Sequence, residues 1–283
     1  MRLVFLGSPP FATPVLARLT RSRFKPLCVV TQPARAQGRG HHGRGRKLGA
    51  SAVAELARAE GIELLEPETV RDPAVLAHLG ALAPDVFLVV SYGEILREEF
   101  LSLARIVALN VHPSLLPRHR GATPIPAALL AGDELTGVAI QKVAKELDSG
   151  DLLLSRATPI APGETAGELL ARLSEWSAEL VLEALELVES GKARYQPQDS
   201  ARATICKKLT KEHGRIDWTR PARELERRVR AMNPWPGATT RLASGAELLV
   251  WRALATSAEG GSNGAPGTIL EAGPRWRVAA GDG

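Results

Sequence analysis

Two polar side chains interrupt an apolar run near the middle of this 283-residue chain. Ile106, Val107, Ala108, Leu109 and Val111 form the β-branched, apolar stretch expected of a buried parallel strand, and Asn110 and His112 stand within it. Side chains alternate along a strand, so both point to one face. Pro113 then forbids further ladder pairing. Ligands in open α/β sheets bind at such carboxyl strand ends. An amide donor there can stabilise developing negative charge without competing for protons. An imidazole, with an ordinary pKa of ~6.5, can both accept and donate a proton near neutrality. Alone, the pair would more simply cap the strand and satisfy loop backbone groups. The stiff loop that follows, PSLLPRHRG, favours a site.

Other stretches carry chemistry of their own. Asp148 and Asp151 sit in the turn KELDSGD, between TGVAIQKVA (136–144) and LLLSRATPI (152–160), both read as strands. Taken alone, Asp-Ser-Gly-Asp is an ordinary turn former. A second strand, DVFLVVSYG (85–93), ends in Ser91, Tyr92 and Gly93, where a flat ligand could meet backbone. Residues 33–49 form a long loop holding Arg35, Arg39, Arg44, Arg46 and Lys47 with five glycines. Loops of this length are usually functional or disordered, and this one is adhesive to phosphate unless it is a solvated insert. His41 and His42 have no carboxylate or Cys beside them, so a metal is not expected.

The elements that must position these residues follow an alternating pattern. RLVFLG (2–7) reads as a strand, Phe11–Leu19 as a helix and PLCVVTQ (26–32) as a second strand. That opening predicts a doubly wound parallel sheet. Its first turn is not GxGxxG, so no dinucleotide is inferred. Helices are expected at 50–60, 73–83 and Thr123–Ala131. A capping box at Thr165–Glu168 begins a long helix to about Ser190, closed by Gly191. Residues 192–208 read as a linker. Beyond it come GRIDW, a helix over Ala222–Met232, the NPWPG turn and the short strands ELLVWRAL and GTILEA, the pattern of a small β-barrel.

Composition excludes several classes. Hydrophobic content of 45% and charged content of 24% are those of a globular protein. No apolar run approaches the ~20 residues of a membrane span. Cys28 and Cys206 make no disulfide framework, so a cytoplasmic location is expected. The net charge of +5 is unevenly spread. Residues 1–54 hold ten Lys or Arg and no acid, 55–201 hold 12 basic and 23 acidic residues, and 202–241 hold 11 basic and 4 acidic. Two basic segments flanking an acidic middle predict a polyanionic partner, most simply a nucleic acid.

The motif LNVHPSLLPRHRGATPI, with LDSGD, resembles the folate-dependent formyltransferases. The GRG…GRGRKL loop, CKKLTKEHGRIDW and NPWPGA narrow the resemblance to members acting on methionyl-tRNA, and it covers essentially the whole chain. It implies an α/β fold: a Rossmann-like, doubly wound parallel-sheet domain (1–191), a linker (192–208) and an OB-like β-barrel domain for tRNA (209–283). It also implies further barrel strands than this chain carries, so a truncated barrel is expected. By the same resemblance Asn110, His112 and Asp148 form the catalytic trio. Ser114, Leu115, Leu116 and Pro117, with Ser91, Tyr92 and Gly93, form the folate site, and the Arg35–Lys47 loop holds tRNA. The implied reaction moves the formyl group of 10-formyltetrahydrofolate to the free amine of initiator methionyl-tRNA, for translation initiation, without a metal, in a monomeric protein. Two alternatives stay open on the residues alone. One is another folate-dependent formyltransferase, or a formyl-tetrahydrofolate hydrolase, acting on a small substrate. The other is an RNA-binding module without catalysis.

Overall fold

Short runs of Val, Leu and Phe, bounded by turn residues and too brief for helices, become the strands of a seven-stranded sheet. The structure is a computed structural model, and it describes residues 1–36, 48–256 and 264–282. The strands are β1 (Leu3–Gly7), β2 (Cys28–Val30), β3 (Glu63–Leu65), β4 (Val86–Val90), β5 (Val107–His112), β6 (Leu135–Lys142) and β7 (Leu152–Pro159). Their order is β7-β6-β5-β4-β1-β2-β3. The pairs β3–β2, β2–β1, β1–β4 and β4–β5 are parallel, whereas β5–β6 is antiparallel. Every residue of β1 and β4 is buried, as expected of parallel strands covered on both faces.

The helices begin where the chain supplies caps. Helix α1 (Thr13–Thr20) follows the GSPP turn. Ser51 accepts a hydrogen bond from the Ala54 N–H at the start of α2 (Ala52–Ala59). Asp72 accepts from Ala74 before α3 (Pro73–Ala81), with Pro73 at the tolerated first position. A short α4 (Glu98–Leu101) leads back to β5. The capping box at Thr165–Glu168 is formed, with Glu168 accepting from the Thr165 backbone, ahead of α6 (Ala166–Glu189).

The chain divides into two units. The first comprises Met1–Arg120, Gly137–Ala157 and Ala171–Thr204, and holds most of the sheet. The second comprises Gly121–Thr136, Thr158–Leu170 and Ile205–Gly283. In it α5 (Pro124–Ala131) packs on α7 (Ala222–Ala231), which buries Leu225, Val229 and Ala231. At the end of α5, Gly132 lies so close to the Arg227 guanidinium that a Cβ would collide with it. Antiparallel strands β8 (Ala238–Arg241) and β9 (Glu247–Val250) pair in this unit, as do β10 (Ile269–Glu271) and β11 (Arg277–Val278). Among the described residues, these two pairs and a parallel bridge between Arg215 and Thr239 are the β-structure of residues 209–283. No helix among the described residues is long and apolar enough to cross a membrane.

Candidate active site

The antiparallel register of β5 on β6 sets the site. Asn110 pairs with Gln141 and His112 with Ala139. Residues directly opposite share a face, so the Asn110 and Gln141 amides project together. The turn after β6 brings Asp148 back over them. Asp148 Oδ1 accepts from Asn110 Nδ2 at 3.1 Å and from Gln141 Nε2 at 3.0 Å. Its Oδ2 lies 3.5 Å from His112 Nδ1, and both side chains are at least nine-tenths buried. Side chains of two strands, Asn110 and His112 on β5 and Gln141 on β6, thus converge on one carboxylate.

Hydrogen-bond chemistry assigns the imidazole. His112 Nε2 is 2.9 Å from the His119 carbonyl oxygen, which can only accept, so Nε2 carries a hydrogen. Nδ1 is therefore the atom whose protonation can change, and it faces Asp148. Burial holds the His112 imidazole below the ordinary histidine range, against the opposing pull of Asp148 and of the His119 carbonyl. The resting ring is neutral, and a proton arriving at Nδ1 meets a carboxylate.

The turn that delivers Asp148 is tightly built. Asp148 itself has φ +52°, in the left-handed region that Asp adopts more readily than most non-glycine residues. Gly150 packs so closely on β6 that a Cβ would run into the Lys142 carbonyl. Gln198 spans the turn: its Nε2 donates to the Asp148 carbonyl at 2.9 Å, the Gly150 carbonyl at 2.7 Å and Gln141 Oε1 at 3.0 Å. Its own Oε1 accepts from Arg120 Nε at 3.0 Å and Nη2 at 2.8 Å. None of Gln141, Gln198, Arg120 or His119 was singled out by sequence pattern. Gln141 carried a usable signal, a polar residue within an apolar strand, as with Asn110. Gln198 carried none.

The expected folate residues lie along the same edge. Val90 pairs with Val111, so Ser91, just past β4, and His112, the last residue of β5, stand at neighbouring parallel strand ends. Ser91 has φ +52° and Gly93 φ +89°, and open space stands where a Gly93 Cβ would be. That exposed backbone suits the approach of a flat ring. Gly93 also borders a cavity of about 200 Å³ lined by Gln32, Glu68, Thr69, Arg71 and Glu94. Tyr92 turns the other way, with its ring buried among Val89, Leu96 and Phe100. Its hydroxyl has no hydrogen-bond partner among the described residues, and burial raises its pKa above the ordinary phenol range. Ser114 is fully buried and donates to the Arg118 carbonyl at 2.7 Å, stapling the loop that carries Leu115, Leu116 and Pro117. Of the basic loop, Arg35 begins a two-residue antiparallel ladder, Arg35 with Gly49 and Ala36 with Leu48. Arg39, Arg44, Arg46 and Lys47 lie outside the described residues.

The chain as a whole is similar to known proteins. The family profile described as Formyl transferase matches residues 1–185, and that described as Formyl transferase, C-terminal domain, matches residues 208–283. A methionyl-tRNA formyltransferase of Roseiflexus castenholzii is 43% identical over 284 residues, covering 100% of this chain and 88% of that protein. Among solved structures, the sugar 3N-formyl transferase WlaRD, crystallised with dTDP and 5-N-formyl-THF, superposes with a TM-score of 0.72 at 13% identity, covering 100% of this chain and 95% of that one. HypX from Aquifex aeolicus, in complex with tetrahydrofolic acid, superposes with a TM-score of 0.63 at 22% identity, covering 100% of this chain and 43% of that one. At those identities the two structures speak for the fold.

Proposed function

The chain belongs to the methionyl-tRNA formyltransferase family, and from that premise we propose that it moves the formyl group of 10-formyltetrahydrofolate to the free amine of initiator methionyl-tRNA. The observation that carries the reading at this site is the convergence of Asn110 Nδ2 and His112 Nδ1 on the two oxygens of Asp148. The folate co-substrate, when bound, supplies an activated one-carbon unit. Backbone at Ser91 and Gly93 and the loop Ser114–Pro117 would hold it, with Tyr92 contributing backbone rather than its buried phenol.

Each residue of the trio has a distinct task. His112, neutral because it is buried, takes at Nδ1 the proton released as the amine attacks. Asp148 stabilises the resulting imidazolium and holds the ring in place. Asn110 donates one Nδ2 hydrogen to Asp148 and has a second to offer to the oxygen on which negative charge develops. The proton at His112 is then available to the departing nitrogen. Positioning two large substrates supplies the remainder, up to about 7–11 kcal/mol. The chain acts as a cytoplasmic monomer, with Arg35, Arg39, Arg44, Arg46 and Lys47 contacting tRNA phosphates, and no residue is assigned to a metal. Residues 1–191 carry the chemistry and 209–283 assist tRNA binding, joined by 192–208. The test is formyl transfer to charged initiator tRNA compared with small amines and water. Transfer to tRNA is expected. Turnover of small amines or of water alone would overturn the reading.

A further inference from the structure

Arg120, Gln198 and Gln141 form a relay of hydrogen bonds that ends on the Asp148 carboxylate, outside the trio. We propose that Gln198 is a positioning residue for formyl transfer, holding the Asp148 turn in its left-handed conformation so that the carboxylate meets Asn110 and His112. The inference rests on the preceding assignment of Asp148 to the transfer step.

The orientation of each amide follows from its partners. Backbone carbonyls only accept, so the Gln198 atom facing Asp148 O and Gly150 O must be Nε2, and the atom facing the Arg120 guanidinium must be Oε1. Two hydrogens on Nε2 serve three acceptors, the third being Gln141 Oε1, so one hydrogen is shared. That contact orients Gln141 so that its Nε2 points to Asp148 Oδ1. The Arg120 charge polarises the chain in one direction, from guanidinium to amide to amide to carboxylate. Gln141 is 1% exposed, so its two amide atoms have these protein partners in place of bulk water. Gln198 also lies in a segment that is itself anchored, since Gln196 exchanges two backbone hydrogen bonds with Leu152, at 2.8 and 2.9 Å. Gln198 therefore clamps the turn at the backbone of Asp148 and Gly150 while aiming the Gln141 side chain at the carboxylate. A residue that merely filled space would not need both.

The informative variant is Gln198→Glu. It keeps the length and the Arg120 contact but replaces a donor with a carboxylate that repels the carbonyls of Asp148 and Gly150. Turnover should fall between about tenfold and 100-fold, the scale of a misplacement of about 1 Å, with KM for folate and tRNA nearly unchanged. Gln141→Met, which removes both the donor to Oδ1 and the acceptor for Gln198 Nε2, should lower kcat in the same sense and serves if Gln198→Glu does not fold. Each variant is compared with wild type and with Asp148→Asn, and combined with Asp148→Asn in a double-mutant cycle. If Gln198 acts through Asp148, its substitution should cost little once Asp148 is already Asn. Undiminished turnover in Gln198→Glu and Gln141→Met, or an equal loss in both backgrounds, overturns the proposal. If Asp148→Asn itself keeps wild-type turnover, the assignment of Asp148 fails instead, which is a distinct result.

Discussion

At the scale of single residues, the site depends on protonation states set by burial. Asn110→Ala, His112→Ala and Asp148→Ala should each lower turnover roughly 100- to 1000-fold while leaving folate binding near wild type. Single-turnover assays alongside folate titration check this, and a variant that kept wild-type turnover would lose its assigned role. His112 also predicts a pH dependence of stability. Its folded pKa lies below the ordinary ~6.5 that the unfolded chain would show. Between the two values the unfolded chain binds more protons. Stability is therefore full above about pH 6.5 and declines as pH falls toward the folded value. His112→Gln cannot titrate, so urea unfolding at about pH 5.5 and about pH 7.5 should differ less in the variant than in wild type. An equal difference in both would mean that His112 is not held neutral.

At the scale of elements, the decisive feature is one antiparallel pairing beside a parallel sheet. The antiparallel register of β5 on β6 sets Asn110 against Gln141. The short turn after β6 then folds Asp148 back on both. Gly150 permits that fold because only hydrogen fits against the Lys142 carbonyl. Gly150→Ala should displace the turn, reduce unfolding stability by about 1–3 kcal/mol as overpacking does, and lower turnover with it. Denaturant titration and a turnover assay on one preparation decide the matter. If both stay at wild-type levels, the close packing of the turn is not what sets Asp148.

Across the whole molecule, charge is the organising quantity. The first 54 residues carry ten cations and no acid, and five of those cations fall within residues 35–47. If Arg35, Arg39, Arg44, Arg46 and Lys47 bind the phosphates of tRNA, their replacement by Gln should weaken tRNA binding. Each lost contact should also flatten the log affinity against log salt plot by up to about 0.9, by analogy with duplex DNA. Folate affinity should stay the same if, as proposed, Ser91–Gly93 and Ser114–Pro117 hold the folate. Binding isotherms over a salt series measure both. Identical slopes for wild type and variant would leave the loop without a part in tRNA binding.

Local pattern by itself determined most strands and helices of the sheet, because apolar runs between turn residues must be buried, while the three-residue β3 and four-residue α4 are too short to carry a period. It also placed Asn110 and His112 on one face, since side chains alternate sides every residue once the backbone is extended. Tertiary structure alone decided the rest. By local pattern Asp148 is an ordinary turn residue that only the resemblance to a family singles out, and its contact with Asn110 and His112 comes from the β5–β6 register. Which His112 nitrogen exchanges its proton depends on the His119 carbonyl, held by a loop of left-handed backbone at His119 itself. The strand end Ser91–Gly93 reads as a place where a flat ligand meets backbone, and only the tertiary structure shows that the Tyr92 ring is buried in the core. Gln198 sits in a stretch with no apolar period, since what it contributes is directional hydrogen bonding to distant backbone. Such bonds leave no periodicity in sequence: they exist only once the partners are brought within 3 Å of one another.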